Sequence, residues 1–104
     1  MNTIAVAARI CVAVSENEDI PNPTARIAAW IVGVALRSGG FPIEVSVHEM
    51  QRGFPLGSHA VAGTGCHHNT IKAALEWLQD HELLQVAQGA YLSGGKYKHI
   101  ISVK

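Results

Sequence analysis

The side chains with the widest range of chemistry are histidines and cysteines near the middle of the chain. Cys66, His67 and His68 are consecutive and His59 lies upstream, and both residue types bind zinc in proteins. Neighbours on a regular helix point about 100° apart, so these residues do not converge on one ion. The only other cysteine is Cys11, and the chain has no C-x-x-C pair. We therefore expect free thiols, no metal and no cofactor.

Motifs for catalysis are missing from the sequence. It contains no G-x-S-x-G elbow, no H-E-x-x-H motif and no phosphate-binding loop. Glu16, Glu18 and Asp19 form an acidic cluster, but it falls in a proline-punctuated loop over residues 15–23, where carboxylates are solvated. We do not expect an enzyme.

Other polar residues are of the types that bind DNA. Asparagine can pair with adenine through two hydrogen bonds, and lysine reaches guanine or phosphate. Asn69 and Lys72 fit this description, although such a helix face is also typical of a solvated surface. Lys96 and Lys98 either contact phosphate or protect an exposed edge strand from pairing. The candidate DNA-binding residues are His67, His68, Asn69, Thr70, Lys72, Ala73, Lys96, Tyr97 and Lys98.

The element that must position most of these residues is a helix over residues 67–81. Its apolar residues follow the spacing i, i+3, i+4 and i+7, which predicts one face against a core. The small side chain of Ala74 would let another helix approach closely. The first turn of the far face is left free, and the positive end of the helix dipole there favours phosphate. The apolar stripe consists of Ile71, Ala74, Leu75 and Leu78.

The N-terminal half predicts one strand and two helices. Residues 3–14 alternate β-branched and other residues, which favours a strand, although their alanines also allow a helix. Residues 24–37, capped by Thr24, form a helix that is apolar nearly all round, so we expect it to be covered by the first strand or by a partner subunit. A homodimer built from these two elements is one prediction. Residues 43–51 form a short second helix.

Glycines mark the connections in the C-terminal half. Residues 55–65 predict an irregular, glycine-punctuated connection before the third helix. Residues 83–103 predict a two-stranded ribbon with turn signals at Gln88-Gly89 and Ser93-Gly94-Gly95. We therefore divide the chain into an N-terminal strand or helix over 1–15, a helical core over 24–81 and a wing over 83–103.

The length and charge of the chain restrict its function further. Its 104 residues suffice for one domain, and eight basic residues balance eight acidic ones, so no global basic field attracts nucleic acid. The charge is nevertheless uneven, because residues 88–104 carry lysines, Lys104 among them, and no acid. Arg9 and Arg37 interrupt the apolar stretches, which argues against a signal peptide and a membrane span. A cytoplasmic protein is expected.

Strand, helix, helix, helix and ribbon is the order of a winged helix-turn-helix, a mainly α fold with a β-ribbon in the α+β class. Residues 63–84 resemble the recognition-helix signature of bacterial winged-helix DNA-binding proteins, although Glu82 replaces the usual glycine. The Gly-Thr-Gly run at 63–65 and the I-P-N turn at 20–22 look most like phage and plasmid replication proteins. The matching positions are Thr70-Ile71, Ala74-Leu75, Leu78 and Leu83-Leu84.

The resemblance implies sequence-specific binding of double-stranded DNA. The third helix would enter the major groove and the ribbon would act as the wing, in replication initiation or transcriptional regulation of a phage or plasmid element. The implied partners are duplex DNA, a second copy of the chain and a replication or regulatory protein. The alternative is a non-catalytic adaptor that uses the same scaffold to bind another protein.

Overall fold

Nine helices and strands follow one another between Thr3 and Val103, the residues that the computed structural model describes. They form an α+β fold of helices and two small antiparallel sheets. The helices are α1 (Thr3–Glu16), α2 (Asn22–Ser38), α3 (Val47–Arg52) and α4 (His68–Asp80). The strands are β1 (Ile43–Val45), β2 (Gly53–Leu56), β3 (His59–Ala62), β4 (Leu84–Ser93) and β5 (Lys96–Val103).

The hydrophobic core lies where α2 and α4 pack against each other and against the larger sheet. Ile31 of α2, Ile71 of α4 and Ile101 of β5 are fully buried. Burial of each such side chain contributes about 1.5–3 kcal/mol to folding. The stripe predicted for α4 is confirmed, because its buried residues are Ile71, Ala74, Leu75 and Leu78.

The prediction of a strand over residues 3–14 is wrong, because these residues form helix α1. The β-branched residues that alternate along the sequence also supply a helical stripe, in which Val6, Ala7 and Ile10 are buried. This stripe packs against α2, so packing between helices outweighs the β-propensity of the alternating residues. Helix α1 thus covers the second apolar face of α2.

The predicted N-terminal cap of α2 is wrong, whereas its predicted C-terminal end is confirmed. The N-cap is Pro21 rather than Thr24, and Thr24 is buried inside the first turn. The C-terminal end is confirmed, because Gly39 adopts the left-handed conformation (φ 93°) and donates its backbone N–H to the carbonyl of Ala35.

The predicted helix over residues 43–51 is wrong in its first part. Ile43 and Val45 are buried and Glu44 is exposed, which is the pattern of strand β1, and β1 pairs with β5. Helix α3 begins only after Ser46. The Oγ of Ser46 accepts a hydrogen bond from the Glu49 N–H (3.0 Å), and Glu49 Oε1 accepts one from the Ser46 N–H (2.9 Å). This capping box places the start of the helix.

Residues 55–65 do not form the predicted irregular connection. Strands β2 and β3 form a separate hairpin, with Gly57 in a left-handed conformation (φ 62°) at its turn. Trp30 of α2 holds the hairpin in place, because its Nε1 donates to the carbonyl of Ala62 (2.7 Å). The same indole meets the ring of Phe54 edge-on, with the ring centroids 6.2 Å apart.

The C-terminal ribbon is confirmed, but one of its two predicted turns is wrong, because Gln88-Gly89 lies at a register shift inside β4 and not at a turn. Strands β4 and β5 are antiparallel and are joined at Gly94 and Gly95, which both have positive φ. Strand β1 adds to the other side of β5, which gives the sheet order β1-β5-β4. Within residues 3–103, no helix has the length and apolar character that crossing a membrane requires.

Candidate nucleic-acid interface

An open groove of about 750 Å³ separates the ribbon from α3 and the first turns of α4. Helix α3 contributes His48 and Gln51, and α4 contributes His68 and Lys72. The ribbon closes the opposite side with residues from both of its strands. Its lining side chains include Val86, Gln88, Leu92, Lys96, Tyr97, Lys98 and His99.

The groove concentrates positive charge in a chain whose net charge is zero. No Asp or Glu is among the described residues that line it. Lys98 forms an ion pair with Glu49, which lies just outside the groove (Nζ to Oε1, 3.4 Å). Lys72 and Lys96 make no ion pair with a carboxylate anywhere in residues 3–103. The groove therefore carries cationic groups that are free to bind an anion.

Two histidines that line the groove have lowered pKa values. The pKa of His68 lies below its ordinary value of 6.5, first because its ring is slightly desolvated. The positive charges of His67, Lys72 and Lys96 lower that pKa further. The pKa of His99 is also lowered, by burial and then by the charge of Lys72. Lys72 of α4 and Lys96 of the ribbon therefore both act on the same imidazole, that of His68.

The start of α4 is held by local hydrogen bonds. His67 is the N-cap, and its Nδ1 accepts a hydrogen bond from the Asn69 N–H (3.2 Å). Its ring also lies against the ring of His68, with the centroids 4.1 Å apart. The backbone N–H groups of Thr64 and Gly65 donate to the last carbonyls of α3, at 2.8 and 3.0 Å. These bonds fix the start of α4 relative to α3.

The groove contains some of the candidate residues and leaves others out. It brings together His68, Lys72, Lys96, Tyr97 and Lys98. Residues 68 and 72 are four apart and therefore share one face of α4. The next face, about 100° further round, carries the exposed Asn69 and Ala73. The candidates that do not line the groove are His67, Asn69, Thr70 and Ala73.

Several residues that line the groove are not among the candidates from the sequence. His48 and Gln51 belong to α3. Their three-residue spacing places them on one helix face, and this is the sequence pattern that could have identified them. His99 lies two residues after Tyr97, so the two share a face of β5. No pattern in the sequence indicates that Leu92 lines the groove, because its position there results from an irregularity in β4.

The cysteine and histidine cluster does not form a metal site among the described residues, although the rings of His67 and His68 are in contact. Within residues 3–103, no three His, Cys, Asp or Glu side chains are grouped so that they could hold a metal ion. Cys66 is a half-buried free thiol near the start of α4, and Cys11 is an exposed free thiol on α1. Lys104, the last lysine of the sequence, lies outside the described residues, as do residues 1 and 2.

Comparison with known proteins does not assign this chain to a family. No protein-family model, no curated protein and no solved structure matches this chain. The function of the chain must therefore be inferred from the groove and its charges.

Proposed function

We propose that the chain is a winged-helix protein that binds double-stranded DNA sequence-specifically. Helices α2, α3 and α4 followed by β4 and β5 have the order of a winged helix-turn-helix, with β1 as the third strand of its sheet. Helix α4 is the recognition helix and the β4–β5 ribbon is the wing. The β2–β3 hairpin is then an insertion between α3 and α4, which are the second and third helices of that motif.

The observation that carries this proposal is the segregation of charge. A chain with as many acidic as basic residues places three lysines and three histidines around one groove without a lining carboxylate. A phosphate backbone gains affinity from such a surface because each lysine that neutralises a phosphate releases a condensed counterion. The elements around the groove are also those that a winged helix presents to DNA.

The groove divides naturally into a part that reads bases and a part that binds phosphate. His68 and Lys72 lie on the exposed first turns of α4, with Asn69 on the adjoining face. These turns would approach base edges in the major groove. Lys96 and Lys98 lie on β5, where they would contact the phosphates beside the site.

The resemblance to phage and plasmid replication proteins supports a function in replication initiation or in transcriptional control of such an element. A monomer with few cations gains from dimerisation, because two copies double the phosphate contacts and set the spacing of half-sites. Helix α1 offers a surface for this, since Ile4 is 71% and Val12 51% exposed. Sedimentation at high micromolar concentration should show a dimer that Val12→Glu dissociates, and a monomeric wild type would contradict it.

The second candidate function is a protein-binding adaptor. Strand β4 forms one edge of the larger sheet, and an edge strand can pair with an extended segment of another protein. Register shifts after Gln88 and after Tyr91 interrupt this edge, so only its first half offers regular pairing.

Selection from random duplex DNA, followed by titration of the selected duplex, tests the DNA-binding proposal. Lys72→Gln should weaken binding, and Arg37→Gln, which removes a charge of the same sign at the far end of α2, should not. If no sequence is enriched and Lys72→Gln binds random duplex like the wild type at low salt, the proposal fails and the adaptor remains.

A further inference from the structure

The tip of the ribbon exposes an apolar patch that phosphate contacts do not explain. The wing-tip patch consists of Tyr91, Leu92 and Tyr97, which are 60%, 45% and 40% exposed. The two tyrosine rings meet edge to face, with centroids 5.1 Å apart and an interplanar angle of 66°. An edge-to-face pair leaves ring surface available to a third planar group.

Two irregularities in β4 build this patch. Gly89 and Ala90 together oppose the single residue Lys98, and one step further Leu92 has no partner on β5. Such bulges increase the local twist and turn side chains in a new direction. The first bulge is held in place, because the Ala90 N–H donates to Glu44 Oε2 across the sheet (2.9 Å).

The bulges make the wing-tip patch continuous with the basic groove. Leu92 and Tyr97 line the groove together with Lys72 of α4. Lys96 lies next to Tyr97 and lines the groove with it, whereas the Glu44 carboxylate lies at the first bulge, where it accepts the Ala90 N–H. On its groove side the patch therefore combines aromatic surface with positive charge, which is the combination that nucleic acid bases and their phosphates require.

The size of the patch also favours nucleobases over a protein. Tyrosine side chains bury about 150–250 Å² each when fully covered, so the patch offers far less than the roughly 800 Å² per partner of a stable protein interface. A single unstacked base, in contrast, needs only one ring face and the apolar edge beside it.

We propose that the wing-tip patch stacks against unpaired or unstacked bases, so that the preferred ligand is duplex DNA with a locally opened step beside the site of α4. This inference rests on the proposed DNA-binding function. Apolar wedges that enter between base steps unstack and bend the duplex, and the cost is lower where pairing is already lost. The wing then does more than neutralise phosphate, because it distinguishes an open step from a paired one.

The test compares three probes derived from the selected sequence: the matched duplex, the same duplex with a short mismatched segment at its edge, and the single strand. Wild-type protein should bind the mismatched duplex about tenfold more tightly than the matched one. Tyr91→Ala, at a residue that does not line the groove, should abolish this preference and keep the affinity for the matched duplex within about twofold. Tyr97→Ala should also abolish the preference and, because Tyr97 lines the groove, should weaken binding to the matched duplex as well. Lys72→Gln should weaken binding to both duplexes alike.

A 2-aminopurine base in the mismatched segment gives an independent readout on unaltered protein. Its fluorescence should fall on binding, because stacking on an aromatic ring quenches it. Equal affinity for matched and mismatched duplexes, or unchanged 2-aminopurine fluorescence in a saturated complex, would overturn the wing-tip inference alone. If the wild-type protein binds none of the three probes, the proposed DNA-binding function is overturned instead.

Discussion

The Nζ of Lys98 on β5 lies 3.4 Å from the Oε1 of Glu49 on α3. The same Oε1 accepts the Ser46 N–H of the capping box, so one carboxylate oxygen contacts both the start of α3 and strand β5. The pair is partly exposed, and pairs of this kind contribute about 0–1 kcal/mol. Its larger consequence is electrostatic, because it neutralises one of the groove's three lysines.

Replacing Glu49 by Gln should therefore strengthen DNA binding. Glutamine still serves in a capping box, so α3 keeps its start, but Lys98 loses its counter-charge and is free to bind phosphate. We expect up to about fivefold tighter binding and a salt dependence steeper by about one unit. Glu18→Gln in the loop before α2 changes the net charge equally and should have little effect. Anisotropy titrations at several salt concentrations measure both quantities.

Asn69 and Lys96 should differ in what they contribute to binding. Asn69→Ala should weaken binding to the preferred sequence by about 1–3 kcal/mol and leave non-specific binding nearly intact, as expected when base readout is lost. Lys96→Ala should weaken binding to every sequence and reduce the salt slope by about one unit. Titrations against specific and scrambled duplexes separate the two effects. Equal losses on both duplexes for Asn69→Ala would exclude it from base readout.

The lowered pKa of His99 predicts how stability depends on pH. Its pKa is lower in the folded protein than in the unfolded chain, where it is about 6.5, so the unfolded chain binds a proton first as the pH falls. This histidine therefore favours folding fully above about pH 6.5, and that contribution is lost as the pH falls toward the lowered value.

Thermal unfolding between about pH 7.5 and pH 5.5 measures this dependence. The melting temperature of the wild type should fall over this range, and His99→Gln should reduce the fall. His59→Gln, which removes an exposed histidine of β3, should behave like the wild type. A His99→Gln profile that runs parallel to the wild type would show that His99 does not cause the dependence.

The base of the β2–β3 hairpin should not tolerate a methyl group. A Cβ at Gly63 would overlap the backbone of Gln51 and Arg52 at the end of α3, which cannot move without displacing α4. We expect Gly63→Ala to lower the free energy of unfolding by about 1–3 kcal/mol. Gly33→Ala is the matched control, because nothing lies within 4 Å of its Cβ. As a substitution inside α2, it should stabilise the protein by about 0.5–1 kcal/mol. Urea denaturation measures both changes.

Local patterns were sufficient for α4 and for the closing turn of the β4–β5 ribbon, although they also predicted a turn at Gln88-Gly89, which lies inside β4. The stripe that begins at Ile71 has one period and one buried face, and no competing element matches it. The Gly94-Gly95 turn requires positive φ at both residues, which glycine adopts without strain and which matches the twist of a two-stranded ribbon. Such elements depend on residues close together in sequence, and the sequence alone therefore determined them, together with five of the residues that line the groove.

Only the tertiary structure decided the remaining elements, because each depends on a distant partner. Residues 3–16 fit a strand or a helix locally, and contact with α2 selects the helix. Residues 43–45 form a strand because β5 supplies its hydrogen bonds from almost sixty residues away. The groove also depends on distant partners, because His48, Lys72 and His99 come from three elements and meet only when the β4–β5 ribbon lies beside α4. A periodicity reports which face of an element is apolar, whereas the identity of the facing element depends on contacts that no local pattern contains.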